Sequence, residues 1–249
     1  MKIFDKIYDA IVNRNRDEVI KLAGEVRDRG IDPAQAIEKG FKKGMEKIGE
    51  QFADLEIFIP DMIAAAEIMN EGLDILRPLL KSTGAKISTG RILLGTIQGD
   101  VHEIGKNIVK IMLEGSGYEV IDLGLMVPCE KILQTAKSEG VDMIGLSGLI
   151  TPSLDEMVHV AGEMERQGFD VPLLIGGATT SAKHTAVKIA PAYRNATVHV
   201  LDASRSVGVV DRLKSDDRRA GFEAKNRQEQ EALVASFNLR QQVQLVPYA

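Results

Sequence analysis

The sequence has one cysteine, no tryptophan and no excess of basic residues. A single cysteine, Cys129, excludes an internal disulfide and a cysteine-rich zinc site, and it fits a reducing compartment. With 31 Lys and Arg against 36 Asp and Glu, the chain lacks the positive charge typical of nucleic-acid-binding proteins. It also lacks a run of about 20 apolar residues. We therefore expect a cytoplasmic protein with no nucleic-acid partner, no signal peptide and no membrane span.

The first 80 residues are predicted to be helical. Apolar residues such as Ile3, Ile7 and Ile11 recur at helical spacing, and no alternating strand pattern occurs there. The clearest break lies at Asp32-Pro33, where the aspartate can cap a helix that has proline at its first position. The pattern predicts a small bundle of four helices at about 2–13, 16–29, 33–53 and 60–80.

A polar linker follows the predicted bundle. Residues 81–90 are rich in Gly, Ser and Thr, and the hydrophobic periodicity changes after them. We predict a helical domain over 1–85, a second domain over 90–215, and a charged helix with a tail over 216–249. We also expect the linker to act as a hinge.

In the second domain, short apolar runs alternate with helical stretches, which predicts a parallel sheet with helices on both faces. Five such strands match a flavodoxin-like, or Rossmann-like, doubly wound sheet, whose ligands bind at the carboxyl ends of the strands. The predicted fold class is α/β, with a four-helix bundle before a five-stranded parallel sheet. The strands are predicted at 91–96, 118–123, 142–147, 172–177 and 197–202.

The loop after the first predicted strand carries an acid and a histidine, Asp100 and His102. A carboxylate can hold one ring nitrogen of a histidine and leave the other for a metal. The alternative is a surface acid and a surface histidine near a helix start. His159, His184 and His199 fall within predicted helices or a strand, where structural positions are expected.

Two further clusters follow the third and fourth predicted strands. Between Ser147 and Ser153, hydroxyls could bind a ligand, or Ser153 could cap the next helix with Glu156 completing a capping box. Gly176-Gly177 would let a bulky group approach the backbone, or form an ordinary turn. No dinucleotide or Walker phosphate loop is supported, since neither spacing occurs.

In this order, the motifs Asp100-x-His102-x-x-Gly105, Ser147-x-Leu149 and Gly176-Gly177 resemble the signature of cobalamin-binding modules in which a protein histidine replaces the cofactor's own base. Longer runs resemble cobalamin-dependent methionine synthase more specifically. These runs are LGLMVP at 123–128, SGLITPSLDEM at 147–157, LLIGGATTS at 173–181, HTAVKI at 184–189 and ASRSVGVV at 203–210.

The resemblance implies that His102 is the lower axial ligand of cobalt, that Asp100 accepts from its other ring nitrogen, and that Ser153 extends this relay. It implies that Gly105 leaves room for the nucleotide tail. The residues implied to line the cofactor are Gly99, Asp100, Val101, His102, Glu103, Ser147, Leu149, Thr151, Gly176, Gly177 and Ala203.

The helical half resembles the cap that covers the upper cobalt face in these proteins. Phe52, Ile59 and Met62 stand at the matching cap positions, and Glu38 at a polar contact to the corrin. Their alternative role is plain bundle core. An apolar lid suits a reactive cobalt centre that water would destroy.

The resemblance implies a carrier that holds methylcobalamin and moves a methyl group from methyltetrahydrofolate to homocysteine. Its expected partners are homocysteine- and methyltetrahydrofolate-binding modules or subunits and a reductive activation domain or protein. The chain is not expected to be active alone, because one cysteine cannot form the thiolate zinc site that activates homocysteine. The main alternative is a stand-alone corrinoid protein of a methylamine, methanol or O-demethylase system; a cobalamin-dependent sensor, a mutase subunit and a domain without corrinoid are others.

Overall fold

The computed structural model describes residues 2–83 and 90–241. Most of the proposed hinge, at 84–89, and the tail at 242–249 lie outside the described residues. The chain divides into two compact units. The first comprises Met1–Arg91 and Asn107–Val120, and the second comprises Ile92–Lys106 and Ile121–Ala249.

The first unit contains the helices predicted for the bundle. Asp32 caps the third of them, since its side chain accepts a hydrogen bond from the backbone of Ala34 with Pro33 at the first position. That helix was predicted as one element, but its middle turn is π-helical. The elements are α1 (Ile3–Val12), α2 (Arg16–Asp28), α3 (Pro33–Ala36), a π-helix (Ile37–Lys42), α4 (Lys43–Ala53) and α5 (Ile59–Thr83).

Small residues let these helices pack closely. A Cβ atom on Gly40 would lie 2.9 Å from a methyl carbon of Ile7, and one on Gly44 would lie 2.8 Å from Ile11. Both isoleucines are fully buried. Helix α1 therefore packs against a glycine surface that any larger side chain would push away.

The second unit is built on a five-stranded parallel sheet in the order β2-β1-β3-β4-β5. This order matches the flavodoxin-like fold. Successive strands are added to one side of β1 and then to the other, so the order switches between β1 and β3. All five predicted strands are present. Their bounds are β1 (Arg91–Thr96), β2 (Glu119–Asp122), β3 (Met143–Ser147), β4 (Leu173–Gly176) and β5 (Thr197–His199).

The fifth strand is shorter than the predicted 197–202. After His199 the chain turns toward the next helix, and the side chain of Asp202 caps that helix by accepting from the backbone of Arg205. Asp202 keeps an extended backbone, as N-cap residues usually do, but its side chain serves the start of the helix and the residue lies beyond the end of the strand ladder.

Helices flank the strands and cover one edge of the sheet. Asn226 and Gln230 of the last helix donate side-chain hydrogen bonds of 3.1 and 2.7 Å to the backbone oxygen of Thr197 in β5. Such cover removes an open edge that could pair with another chain. The helices are α6 (Ile104–Gly115), α7 (Cys129–Glu139), α8 (Thr151–Arg166), α9 (Ala182–His184) with a π-helix (Thr185–Ile189), a 3-10 turn (Ala190–Ala192), α10 (Ala203–Lys214) and α11 (Asp216–Gln241).

Within the described ranges, no helix has the length and apolar character needed to cross a membrane. The loops after β1 and β3 leave the sheet on either side of the point where the strand order reverses. Ligands of this fold class bind at that point, which directs attention to those two loops.

Candidate functional site

The loop between β1 and α6 holds His102 with its imidazole 48% exposed. Two hydrogen bonds from other segments hold the backbone of this loop. Thr96 donates a side-chain hydrogen bond of 3.1 Å to the backbone oxygen of His102, and the backbone of Met126 donates one of 3.2 Å to the backbone oxygen of Asp100. The histidine thus stands on an anchored loop although it faces solvent.

Asp100 is fully buried and receives hydrogen bonds on both carboxylate oxygens. Its Oδ1 lies 2.7 Å from Nδ1 of His102 and accepts from the backbone N–H of the same histidine at 3.0 Å. Its Oδ2 accepts from the backbone N–H groups of Leu149 and Ile150 and from the hydroxyl of Ser153, at 2.5, 3.3 and 2.8 Å. The carboxylate therefore joins the loops after β1 and β3.

The surroundings of Asp100 keep it ionised. Burial alone would raise its pKa, but the backbone N–H groups of Leu149 and His102, the imidazole of His102 and the hydroxyl of Ser153 together outweigh burial and hold the pKa well below its usual range. An ionised carboxylate only accepts hydrogen bonds, so Nδ1 of His102 must carry the proton. The lone pair then lies on Nε2, the ring nitrogen that can bind a metal.

Ser153 does not cap a helix. Helix α8 begins at Thr151 with Ile150 in the cap position, so Ser153 lies within the first turn. Its side chain is buried and its hydroxyl donates to Asp100. The capping-box interpretation is wrong because a buried carboxylate from another loop competes for the same hydroxyl.

The loops after β3 and β4 meet backbone to backbone. A Cβ atom on Gly177 would lie 1.9 Å from the backbone oxygen of Gly148, and Gly177 has φ of +108°. Only glycine satisfies both conditions. Gly176 is under no such constraint, because the nearest atom to its Cβ position is 3.8 Å away.

Open space lies beside the start of α6. A Cβ atom on Gly99 or on Gly105 would meet nothing within 4 Å. This space adjoins a histidine with a fixed tautomer. Such a histidine is the nitrogen ligand that a cobalt bound in a large macrocycle would need from a protein. The residues present therefore fit a corrinoid cofactor.

The remaining predicted cofactor-lining residues all lie at the carboxyl ends of β1, β3, β4 and β5, in the last strand residue, in the loop that follows or in the first turn of the next helix. The structure thus brings them to one edge of the sheet. Those classed as exposed are Gly99, Val101, Glu103, Gly105, Leu149, Thr151 and Gly177, and those half-buried are Ser147, Gly176 and Ala203.

Exposed apolar side chains at the same edge were not identified from the sequence. Ile104 is 72% exposed, Leu201 is 63% exposed and Met126 is 53% exposed. Met126 and Leu201 lie in loops and Ile104 is the first residue of α6, so apolar residues shortly after predicted strand ends were the signal that could have revealed them. They add to Val101 an apolar rim suited to a large, partly apolar ligand.

The four predicted cap residues belong to the first unit. Met62 is fully buried within the bundle, Phe52 is half-buried, and Ile59 is 37% exposed. The side chain of Glu38 is exposed and lies 3.8 Å from the ammonium of Lys42. Their role toward a cofactor stays a prediction.

Two neighbours of these residues belong to the same cap-like run, 51–62, but were not among the predicted cap positions. Leu55 and Phe58 are 79% and 70% exposed, and Leu55 has φ of +61°, unusual for a residue with a side chain. They lie in the turn between α4 and α5, so the exposed apolar surface of this segment consists of Leu55, Phe58 and Ile59.

The other histidines lie where they were predicted, His159 in α8, His184 in α9 and His199 in β5. Burial lowers the pKa of His184 and of His199. The imidazole of His199 lies 3.2 Å from the hydroxyl of Thr180, which in turn donates to the backbone oxygen of Gly177.

Family comparisons match both halves of the chain. Residues 90–195 match a family model described as a B12 binding domain. Residues 3–77 match a second family model that carries the same description. Together the two ranges span most of the sequence.

Solved structures show the same likeness. The chain is similar to a cobalamin-binding protein from Desulfitobacterium hafniense DCB-2, with 29% identity over 85% of this chain and 98% of that one and a TM-score of 0.68. It is also similar to a chain of the methanol:cobalamin methyltransferase complex from Methanosarcina barkeri, with 25% identity over 86% of this chain and 80% of that one and a TM-score of 0.74.

Proposed function

Because this chain belongs to the family of B12-binding proteins, we propose that it is the cobalamin module of a methionine synthase and carries the methyl group between that enzyme's substrates. The observation that supports this most is the chain of hydrogen bonds from Ser153 through Asp100 to His102. It ends in a half-exposed imidazole whose Nε2 carries a lone pair that can bind a metal, and not a proton that could be donated to a hydrogen bond.

Each member of this chain has a separate task. Bound cobalamin supplies the cobalt on which a methyl group is accepted and released. His102 would hold the cobalt through Nε2, while Asp100 keeps the proton on Nδ1 and makes the imidazole a stronger donor. Ser153 and the backbone N–H groups of the β3 loop hold Asp100 in place and ionised.

The methyl donor and acceptor are proposed from the sequence runs that resemble methionine synthase. Two of these runs, 147–157 and 173–181, contain the loops after β3 and β4, in which the partners of Asp100 and Gly177 itself lie. The proposed partners are the modules or subunits that bind homocysteine and methyltetrahydrofolate, and a reductive activation domain or protein. The proposed cofactor state is methylcobalamin.

A second candidate is a stand-alone corrinoid protein that receives methyl groups from methanol or a methylamine. It is favoured by the likeness to the methanol:cobalamin methyltransferase complex, of whose chain 80% is covered. The same His102, Asp100 and Ser153 would serve either system, so the two candidates differ in partner and not in this site.

The cofactor and its ligand are tested by titrating the purified protein with methylcobalamin and following the visible spectrum. We expect saturable binding with a histidine-ligated spectrum, and a spectrum without histidine ligation in His102→Gly. His159→Ala, which changes an exposed histidine on α8, serves as the control and should behave as the wild type. Absence of saturable binding by the wild-type protein would overturn the proposal.

The partner is tested with the methylcobalamin-loaded protein. Mixed with a homocysteine-binding module and homocysteine, it should lose its methyl group, and a methanol-specific methyltransferase subunit should leave it unchanged. The reverse pattern would replace methionine synthase with the second candidate.

A further inference from the structure

A buried ion pair lies beside the histidine loop. The side chain of Lys106 is 2% exposed, and its ammonium lies 2.6 Å from Oδ1 of Asp122, whose side chain is 19% exposed. Lys106 belongs to the first turn of α6, and Asp122 is the last residue of β2. Neither residue belongs to the motifs that pointed to the site.

The location of this lysine is costly. An ammonium removed from water loses several kcal/mol of hydration, and its attraction to a carboxylate returns this only in part. The first turn of a helix is also the positive end of the helix dipole, which disfavours a cation. Replacing a buried ion pair by apolar residues of similar volume is often neutral or stabilising. The pair therefore has to be explained by what it positions.

The pair connects two loops that meet at the site. Oδ1 of Asp122 also accepts a hydrogen bond of 2.9 Å from the backbone of Gly124, the second residue of the loop after β2. That loop continues to Met126, whose backbone N–H donates to the backbone oxygen of Asp100. On the other side, Lys106 follows His102 by four residues. The ion pair thus links the start of α6 to the loop after β2, and these two elements contact the segment that carries Asp100 and His102 from either side.

The loop after β2 is also hydrogen-bonded to the end of β1. The backbone of Thr96 donates a hydrogen bond of 2.9 Å to the oxygen of Gly124, and the hydroxyl of Thr96 donates to the backbone oxygen of His102. The far end of the histidine loop, where α6 begins, has its anchor in Lys106. Without that anchor, the direction of the imidazole would rest on the near end alone.

We infer that Lys106 and Asp122 are positioning residues, which hold the histidine loop so that the imidazole of His102 keeps both its bond to Asp100 and its direction toward cobalt. This inference rests on the proposed cobalamin function. It assigns to a charged pair the task of fixing geometry, while contact with the metal stays with His102.

The test separates positioning from simple stabilisation. The double variant Lys106→Met/Asp122→Asn removes both charges and keeps an oxygen that can accept from Gly124. The matched control is Lys214→Met/Asp142→Asn, which changes an ion pair of 2.5 Å in the same unit that is one-third exposed. Three quantities are measured for each protein: the urea midpoint of the cofactor-free form, the imidazole ¹⁵N shifts of His102 at one pH where the ring is neutral, and the histidine-ligated fraction of bound methylcobalamin.

We expect the double variant to unfold at a urea midpoint close to that of the wild type, because no charge is left buried alone. Its ¹⁵N shifts should change from the Nδ1–H tautomer to a mixture of tautomers, and the equilibrium for histidine ligation should fall about tenfold. The control pair should change neither spectroscopic quantity. Wild-type shifts and wild-type ligation in a folded double variant would overturn the inference.

Lys106→Met alone gives a second test if the double variant does not fold. It leaves the carboxylate of Asp122, which is 19% exposed and keeps its hydrogen bond from the backbone of Gly124, and it should lower histidine ligation in the same direction. The ¹⁵N measurement needs no cofactor. A wild-type protein that binds no cobalamin would therefore overturn the proposed function, while the tautomer change still decides whether the pair positions His102.

Discussion

The hydroxyl of Ser153 donates a hydrogen bond of 2.8 Å to Oδ2 of Asp100, although the two residues are 53 positions apart in the sequence. This bond crosses the point where the strand order reverses, from the loop after β1 to the first turn of α8. Ser153 therefore acts on His102 only through Asp100. The carboxylate is the central member of the site, and substitutions on either side of it should have graded effects.

Replacing Asp100 by asparagine should be severe for this site. The amide puts an NH₂ group either against the three donors now bound to Oδ2 or against the donors bound to Oδ1. An unsatisfied buried donor costs about 1 to 3 kcal/mol, so Asp100→Asn should lower the free energy of unfolding by that amount. Histidine ligation should weaken about 10- to 100-fold.

Urea unfolding and the visible spectrum with methylcobalamin measure these two effects. Asp142→Asn, a change to a half-buried carboxylate in the same unit, is the control for loss of a charge. Wild-type ligation in Asp100→Asn would show that the carboxylate does not set the tautomer of His102.

Removing the hydroxyl of Ser153 should be milder. In Ser153→Ala, Oδ2 of Asp100 keeps the backbone N–H groups of Leu149 and Ile150, so it stays partnered. We expect a stability loss of about 1 kcal/mol and a fall in histidine ligation smaller than in Asp100→Asn. Ser138→Ala, which removes an exposed hydroxyl near the end of α7, is the control. An effect on ligation equal to that of Asp100→Asn would contradict the order of the relay.

Much of the fold followed from the sequence because local patterns determine it. Short apolar runs between helical stretches predicted all five strands, and the Asp32-Pro33 pair predicted a helix start that the side chain of Asp32 indeed caps. The early end of β5 was not predicted, because an apolar run does not show that Asp202 will cap the following helix.

The site was predictable in part. The spacing of Asp100 and His102 is local, and their contact could be expected from it. From the residues alone the role of the Ser153 hydroxyl was open, since Ser153 and Glu156 also form a plausible capping box, whereas the resemblance implied that Ser153 extends the relay. In the fold that hydroxyl donates to Asp100. Lys106 and Asp122 were missed because their 2.6 Å contact joins different elements, and neither residue is unusual in its own stretch of sequence.

The contact between the loops after β3 and β4 should not tolerate a side chain. Gly177→Ala would place Cβ 1.9 Å from the backbone oxygen of Gly148 and force φ of +108° on an L-residue. We expect a loss of at least about 3 kcal/mol in the free energy of unfolding. Methylcobalamin binding should also weaken, because the loops that carry Leu149 and Gly177 must separate.

Gly162→Ala is the matched control for this substitution. Gly162 lies within α8, and a Cβ atom there would meet nothing within 4 Å. Alanine should stabilise the helix by up to about 1 kcal/mol. Equal stability of the Gly177 and Gly162 variants would mean that the two loops do not touch as described.

The buried thiol of Cys129 should make the second unit sensitive to alkali. Burial, followed by the nearby carboxylates of Glu130 and Glu163, raises the pKa of Cys129 from 9.0 to about 11. The folded protein therefore holds the thiol proton up to a higher pH than the unfolded chain does. The resulting stability is fully present below pH 9 and is lost as the pH rises toward 11, with a slope of at most about 1.4 kcal/mol per pH unit.

Urea unfolding of the wild type and of Cys129→Ala between pH 8 and 11 measures this contribution. The difference in free energy of unfolding between the two proteins should be constant up to about pH 9 and should then change in favour of the alanine variant. A constant difference over the whole range would show that the thiol titrates alike in the folded and unfolded chain.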